Sequence, residues 1–192
     1  ISIPSTVSVI GDGCFNGCTS LSSISIPSSV SVIGNDCFWG CTSLSSINIP
    51  SSVSELGGYR YFTDCSSLSS ISIPSSISVL GFCCFNGCTS LSSITIPSTV
   101  SELGESCFYD CSSLSSISIP SSISVIGEKC FWSCASLTTV SVPLSVSEIG
   151  DDCFTECSTM TSLTIPQRFE SRIEYLMFDI DGNGINCQIT YE

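Results

Sequence analysis

Apolar and polar residues alternate twice in each stretch of this chain, and then the alternation stops. Residues 114–119 read LSSISI and residues 122–127 read SISVIG, with Leu114, Ile117, Ile119, Ile123 and Ile126 as the apolar beats. A period of two marks strands with one buried and one solvated face. Pro120 ends the first strand, and Gly127 is expected to turn the chain after the second. The following GEKCFWSC, residues 127–134, is too short for a stable helix and predicts a 3₁₀ or single-turn element.

The same unit recurs along the chain. Pro4, Pro27, Pro50, Pro74, Pro97, Pro120, Pro143 and Pro166 are 23 residues apart, with a single gap of 24. Gly11, Gly34, Gly57, Gly81, Gly104, Gly127 and Gly150 keep the same beat. One unit cannot bury its own Leu, Ile, Val and Phe, whereas stacked units can, which is the physics of a solenoid. The pattern predicts a repeat solenoid of seven 23-residue rungs over residues 1–166, built mostly of short β-strands. After Pro166 the period breaks. Phe169, Ile173 and Leu176 share one helical face, with Met177 beside them, and INCQITY at 185–191 alternates as a strand. Residues 167–192 are therefore read as a helix-strand cap on the last rung.

The frame L-x-x-I-x-I-P-x-S-V-x-x-I-G-x-x-C-F-x-x-C closely resembles the BspA-like (Treponema pallidum-type) leucine-rich repeats, over roughly residues 1–166. Where that family usually has Ala before the Phe, this chain mostly has Cys, as at Cys37, Cys107 and Cys130. The resemblance implies a right-handed leucine-rich-repeat coil. It also implies a binding scaffold of the adhesive, cell-surface kind found in anaerobic bacteria and parasitic protists.

Composition removes several functions. Seventeen acidic residues face four basic ones, for a formal net charge of −13, and histidine is absent. Nucleic acid, which needs clustered Lys and Arg, is excluded as a partner. An anionic membrane surface would repel the chain, and no apolar run reaches the ~18 residues of a spanning helix. Without histidine there is no Ser-His or Cys-His pair, and no phosphate-binding glycine loop occurs. The expectation is a protein without catalytic residues or cofactor.

The strand pairs Ser23/Ser25, Ser46/Asn48, Ser70/Ser72, Ser93/Thr95, Ser116/Ser118, Thr139/Ser141 and Ser162/Thr164 should point away from the core. They either solvate the sheet or form a flat surface for a regular ligand such as a glycan, a repetitive protein or ice. Fifteen cysteines fall mostly in two columns, Cys14 to Cys153 and Cys18 to Cys157, with Tyr61 filling the gap in the first and Cys83 and Cys187 outside both. Regular spacing and an odd count favour buried free thiols over disulfides or zinc, and free thiols imply a reducing or anaerobic setting.

Variation collects after the Phe and in the one-residue insertion at 57–62. Trp39, Tyr59, Arg60, Tyr61, Phe82, Tyr109 and Trp132 are the candidate partner-binding residues, because exposed Trp, Tyr and Arg are typical anchors. Tyr109 and Trp132, on neighbouring rungs, are placed to stack. Asp179, Asp181 and Asn183 match the start of an EF-hand loop, but the twelfth position is Thr190 instead of Glu, so calcium is a weak candidate and a plain turn the simpler reading. The leading expectation is a scaffold for a protein or glycan at a cell surface. The alternative is a structural module that assembles end to end through a rung exposed at Ile1.

Overall fold

The computed structural model describes residues 1–177 and 187–192. The chain coils once per repeat and lays two parallel sheets along the coil. The first runs through strands Ser46–Asn48, Ser70–Ser72, Ser93–Thr95 and Ser116–Ser118, with bridges Ser2–Ser25–Asn48 before them. It continues as a separate ladder through Thr139–Ser141, Ser162–Ile165 and Gln188–Tyr191. The second holds Leu56–Tyr59, Val79–Phe82, Glu102–Leu103, Val125–Ile126 and Glu148–Ile149, with the pair Val9–Ile10 and Val32–Ile33 ahead of it. Register follows the repeat, so like sits on like: Ile94 pairs with Ile117, and Leu80 with Leu103.

Between the sheets lies one continuous core. Leu91, Leu114 and Leu137 are fully buried, as are Val100 and Ile123 of the opposite wall. Its centre is a spine of phenylalanines from Phe15 to Phe154. Successive ring centroids are 5.4–5.6 Å apart and the rings are nearly parallel, stacked on one another.

The third side of each rung is neither sheet nor continuous helix. In residues 106–111, alternate backbone N–H groups point along the coil and back within the rung. Ser106, Phe108 and Asp110 donate to Glu128, Cys130 and Trp132 of the next rung, while Cys107, Tyr109 and Cys111 close turns onto Gly104, Ser106 and Phe108. The expected 3₁₀-type closures are thus present, interleaved with inter-rung bonds. Such a path needs two left-handed residues per rung. They are Gly13 and Gly17 in the first rung, but Ser106 and Asp110 (φ 55° and 54°) in the fifth. Cys83, outside the cysteine columns, occupies one of these positions with φ 52°.

The recurring glycine has a different role from the turn expected of it. Gly127 has no positive φ; it lies against the preceding rung, where an added Cβ would come 2.4 Å from the Glu105 nitrogen and 2.6 Å from the Gly104 carbonyl carbon. These are backbone atoms that cannot swing aside. Gly127→Ala is expected to lose about 3 kcal/mol, the upper range for overpacking, read as a lower denaturant midpoint. An unchanged midpoint would show that the rungs are free to separate there.

Most serine hydroxyls near the corners serve the coil. Ser29, Ser52, Ser76, Thr99, Ser122 and Ser145 each donate to a carbonyl of the preceding rung at 2.5–2.9 Å. At the end of the series Arg168 takes over, its guanidinium donating to the carbonyls of Leu144 and Val146. The described residues of the cap form a 3₁₀ turn, Gln167–Arg172, an α turn, Ile173–Leu176, and the strand Gln188–Tyr191. Tyr175 and Leu176 offer carbonyls to the Asp152 and Phe154 N–H groups, the place a further rung would take. Phe169 and Leu176 are buried against the core, as their spacing predicts.

Candidate functional site

The two sheets and the turn side offer different chemistry. Over the first sheet, the exposed Ser116, Ser118, Thr139 and Ser141 carry hydroxyls only. A shallow concavity there is lined by Ile117, Ser118, Thr139, Val140, Ser141 and Thr164, without a charged or aromatic group. The variable aromatic and basic side chains lie along the turn side and at the adjoining end of the second sheet, where Tyr59 and Phe82 close their strands.

There the structure gathers the sequence candidates into two groups. In the first, Arg60 places its guanidinium 5.3 Å from the Trp39 ring centroid and 5.9 Å from that of Phe82, three residues from three successive rungs. Tyr59 meets Phe82 edge to face at 5.8 Å. The Trp39 Nε1–H donates to Asp64 Oδ2 at 3.1 Å. Tyr59 is 60% exposed, so this group is open to solvent. In the second, Tyr109 and Trp132 stack at 6.0 Å with 14° between planes, and Lys129 Nζ stands 5.9 Å from the Trp132 centroid. Lys129 is also paired with Glu128 at 2.6 Å.

One candidate must be withdrawn. Tyr61 is only 3% exposed, because the extra residue is absorbed at Gly57–Gly58 and Tyr61 drops into the inward slot that cysteine fills in other rungs. Its hydroxyl finds the Gly58 backbone, and burial raises its ionisation to about 12. It cannot touch a partner. Asp179, Asp181 and Asn183, the weak calcium candidates, lie outside the described residues.

No motif points to Asp64 and Asp110, which border one group each: Asp64 accepts from Trp39, and Asp110 follows Tyr109 and donates its N–H to the Trp132 carbonyl. They occupy the second left-handed position of their rungs, two rungs apart, with Gly87 between them. A Cβ on Gly87 would come 2.5 Å from Asp64 Oδ1, so glycine leaves room for that carboxylate. Burial, then the neighbouring Asp64 charge, pushes the Asp110 carboxyl above its ordinary value.

The cysteines form no such open site. Cys41, Cys65, Cys88, Cys111, Cys134 and Cys157 each donate Sγ–H to a phenylalanine carbonyl of the preceding rung, at 3.1–3.2 Å. Burial pushes these thiols up, to about 11 at Cys41 and about 12 at Cys157. Raised, buried thiols are poor nucleophiles and poor metal ligands. Among the described residues no helix is long and apolar enough to cross a membrane.

Residues 1–81 and 58–181 match the BspA type leucine rich repeat region, in six copies. Among solved structures, the T. pallidum leucine-rich repeat protein is 30% identical, with a TM-score of 0.56, over 82% of this chain and 63% of its own. A leucine-rich repeat protein from Eubacterium ventriosum is 27% identical, TM-score 0.70, over 83% of this chain and 43% of its own. A leucine-rich cell surface protein from Faecalibacterium prausnitzii shares the fold at 20% identity, TM-score 0.56, over 100% of this chain and 68% of its own. The chain thus spans less than two thirds of the first two of these proteins. No curated protein matches it.

Proposed function

Because the chain belongs to the BspA-type leucine-rich repeat family, we propose that it is a non-enzymatic binding scaffold displayed at a cell surface, and that it holds its partner on the turn side. The observation that carries this reading is the grouping of Trp39, Tyr59, Arg60 and Phe82 across adjacent rungs, with Tyr59 60% exposed. Aromatic rings and arginine are the side chains that dominate interface energies when covered. The hydroxyl-paved first sheet has no such anchor. A surface location is supported by the leucine-rich cell surface protein that shares the fold.

The test is capture on arrays of proteins and glycans from the outside of cells. Tyr59→Ala with Phe82→Ala is expected to abolish capture, while Ser116→Ala with Ser118→Ala leaves it intact. The reverse pattern would move the binding surface to the first sheet.

A further inference from the structure

The turn side also indicates what kind of partner it takes. We infer that its aromatic strip docks a basic polypeptide segment, with an incoming arginine side chain stacking on Tyr109 and Trp132 and pairing with the carboxylates of Glu105 and Asp110. This rests on the turn-side reading above and names the occupant.

Two independent features point there. First, each aromatic group already holds a cation of the chain itself: Arg60 lies over Trp39 and Phe82, and Lys129 near Trp132. A cation placed over an aromatic face is attracted by the ring's negative π surface, and most strongly by tryptophan. The strip therefore shows, within one molecule, the contact a partner would make. Arg60 and Lys129 each sit at the first left-handed position of their rungs. The equivalent position in the rung between Phe82 and Trp132 is Ser106, so the Tyr109 rung brings no cation of its own.

Second, carboxylates outnumber cations around the strip, as in the whole chain. Of four basic residues, Arg168 caps backbone carbonyls, Arg172 pairs with Asp151, and Lys129 with Glu128. Glu105 is exposed beside the Tyr109 rung, and Asp110 is half-buried next to Tyr109 itself. The Asp110 carboxyl, partly desolvated and repelled by the Asp64 charge, would be relieved by a cation arriving beside it. An anionic glycan or a lipid surface with phosphate headgroups would meet the same carboxylates as repulsion. From Trp39 to Trp132 the strip crosses four rung spacings, ~19 Å at the usual ~4.8 Å between strands, which an extended chain of about six residues covers.

The probe is therefore a labelled hexa-arginine peptide, titrated by fluorescence anisotropy against the whole chain in about 50 mM and about 500 mM salt. Binding is expected at low salt and is expected to weaken at high salt. Trp132→Ala with Tyr109→Ala should weaken it about tenfold or more, as loss of an anchor does. Because net charge alone attracts arginine, the deciding comparison is charge-matched. Glu105→Gln with Asp110→Asn should weaken binding at least about fivefold more than Glu102→Gln with Glu148→Gln on the second sheet. Asparagine suits the left-handed position of residue 110, so that variant keeps its fold. Equal losses from the two pairs, or no binding at low salt, would overturn the proposal. If hexa-arginine fails to bind while Tyr59→Ala with Phe82→Ala still abolishes capture on the arrays, the turn side remains the docking surface and only the basic occupant is wrong.

Discussion

Raising the pH from 8.5 to about 10.5 is expected to unfold this protein under reducing conditions, because its core is made partly of thiols. Burial is the first cause of every resolved cysteine shift: Cys37 is pushed up to about 12, Cys157 to about 12, and Cys107, Cys134 and Cys153 well above their ordinary value. Below about 9, the unperturbed value, the thiol is protonated in both states and the stability is fully present. Above it the unfolded chain releases protons that the folded chain keeps, so stability falls until the folded thiols themselves ionise.

The slope is about 1.4 kcal/mol per pH unit for each such thiol. Cys37, Cys65, Cys84, Cys88, Cys107, Cys111, Cys130, Cys134, Cys153 and Cys157 are all inaccessible to solvent. Together they would remove on the order of 10 kcal/mol one unit above the unperturbed value, comparable to the whole stability of an ordinary domain. Tyr61, raised to about 12, adds a contribution of the same sign at still higher pH. Urea melts at several pH values, followed by tryptophan fluorescence, measure this slope. Stability that stays flat between pH 8.5 and 10.5 would mean that the thiol columns are not buried as described.

The regular part of this molecule was legible because its information is local. A residue's in-or-out orientation follows from period two, and the 23-residue beat of Pro and Ile aligns like with like. Leu114 and Ile119 were placed in the core, and Ser116 and Ser118 outside it, from six letters. What escaped depends on neighbouring rungs. The glycine column looks like turn chemistry in one repeat; only the stacked backbones show that it exists for close approach. By sequence Tyr61 falls both in a cysteine column and on an exposed bulge, and the structure keeps the first because Gly57 and Gly58 absorb the insertion. Asp64 and Asp110 are 46 positions apart in sequence and carry no motif; only the axial stacking brings their charges within reach of each other. The left-handed positions were hidden for a related reason. Gly occupies some of them, but Asp, Ser, Lys, Arg, Cys and Glu occupy others, so no residue type announces them.

Replacing one spine phenylalanine is expected to damage more than one rung. Phe108 is fully buried and stacked on Phe85 and Phe131, with centroids 5.5 Å away on either side. Phe108→Ala removes the ring from water-free surroundings and leaves a cavity that stacked backbones cannot close, since Phe108 N–H is bonded to Cys130 and the Cys111 N–H to Phe108. Such a truncation costs about 3–5 kcal/mol, and the two lost ring contacts put it at the upper end. In a solenoid each rung is stabilised only by its neighbours, so the loss is concentrated at two interfaces. The consequence is a change in cooperativity as well as in midpoint. The rungs before Phe108 and those after it should begin to unfold separately, giving a broader urea transition with a smaller apparent m-value. Phe108→Leu, which keeps much of the volume, should cost less and leave the transition single. Hydrogen exchange on the Phe108→Ala variant would locate the break. Protection lost evenly along the coil, instead of centred on residues 104–134, would contradict a spine whose strength is passed from ring to ring.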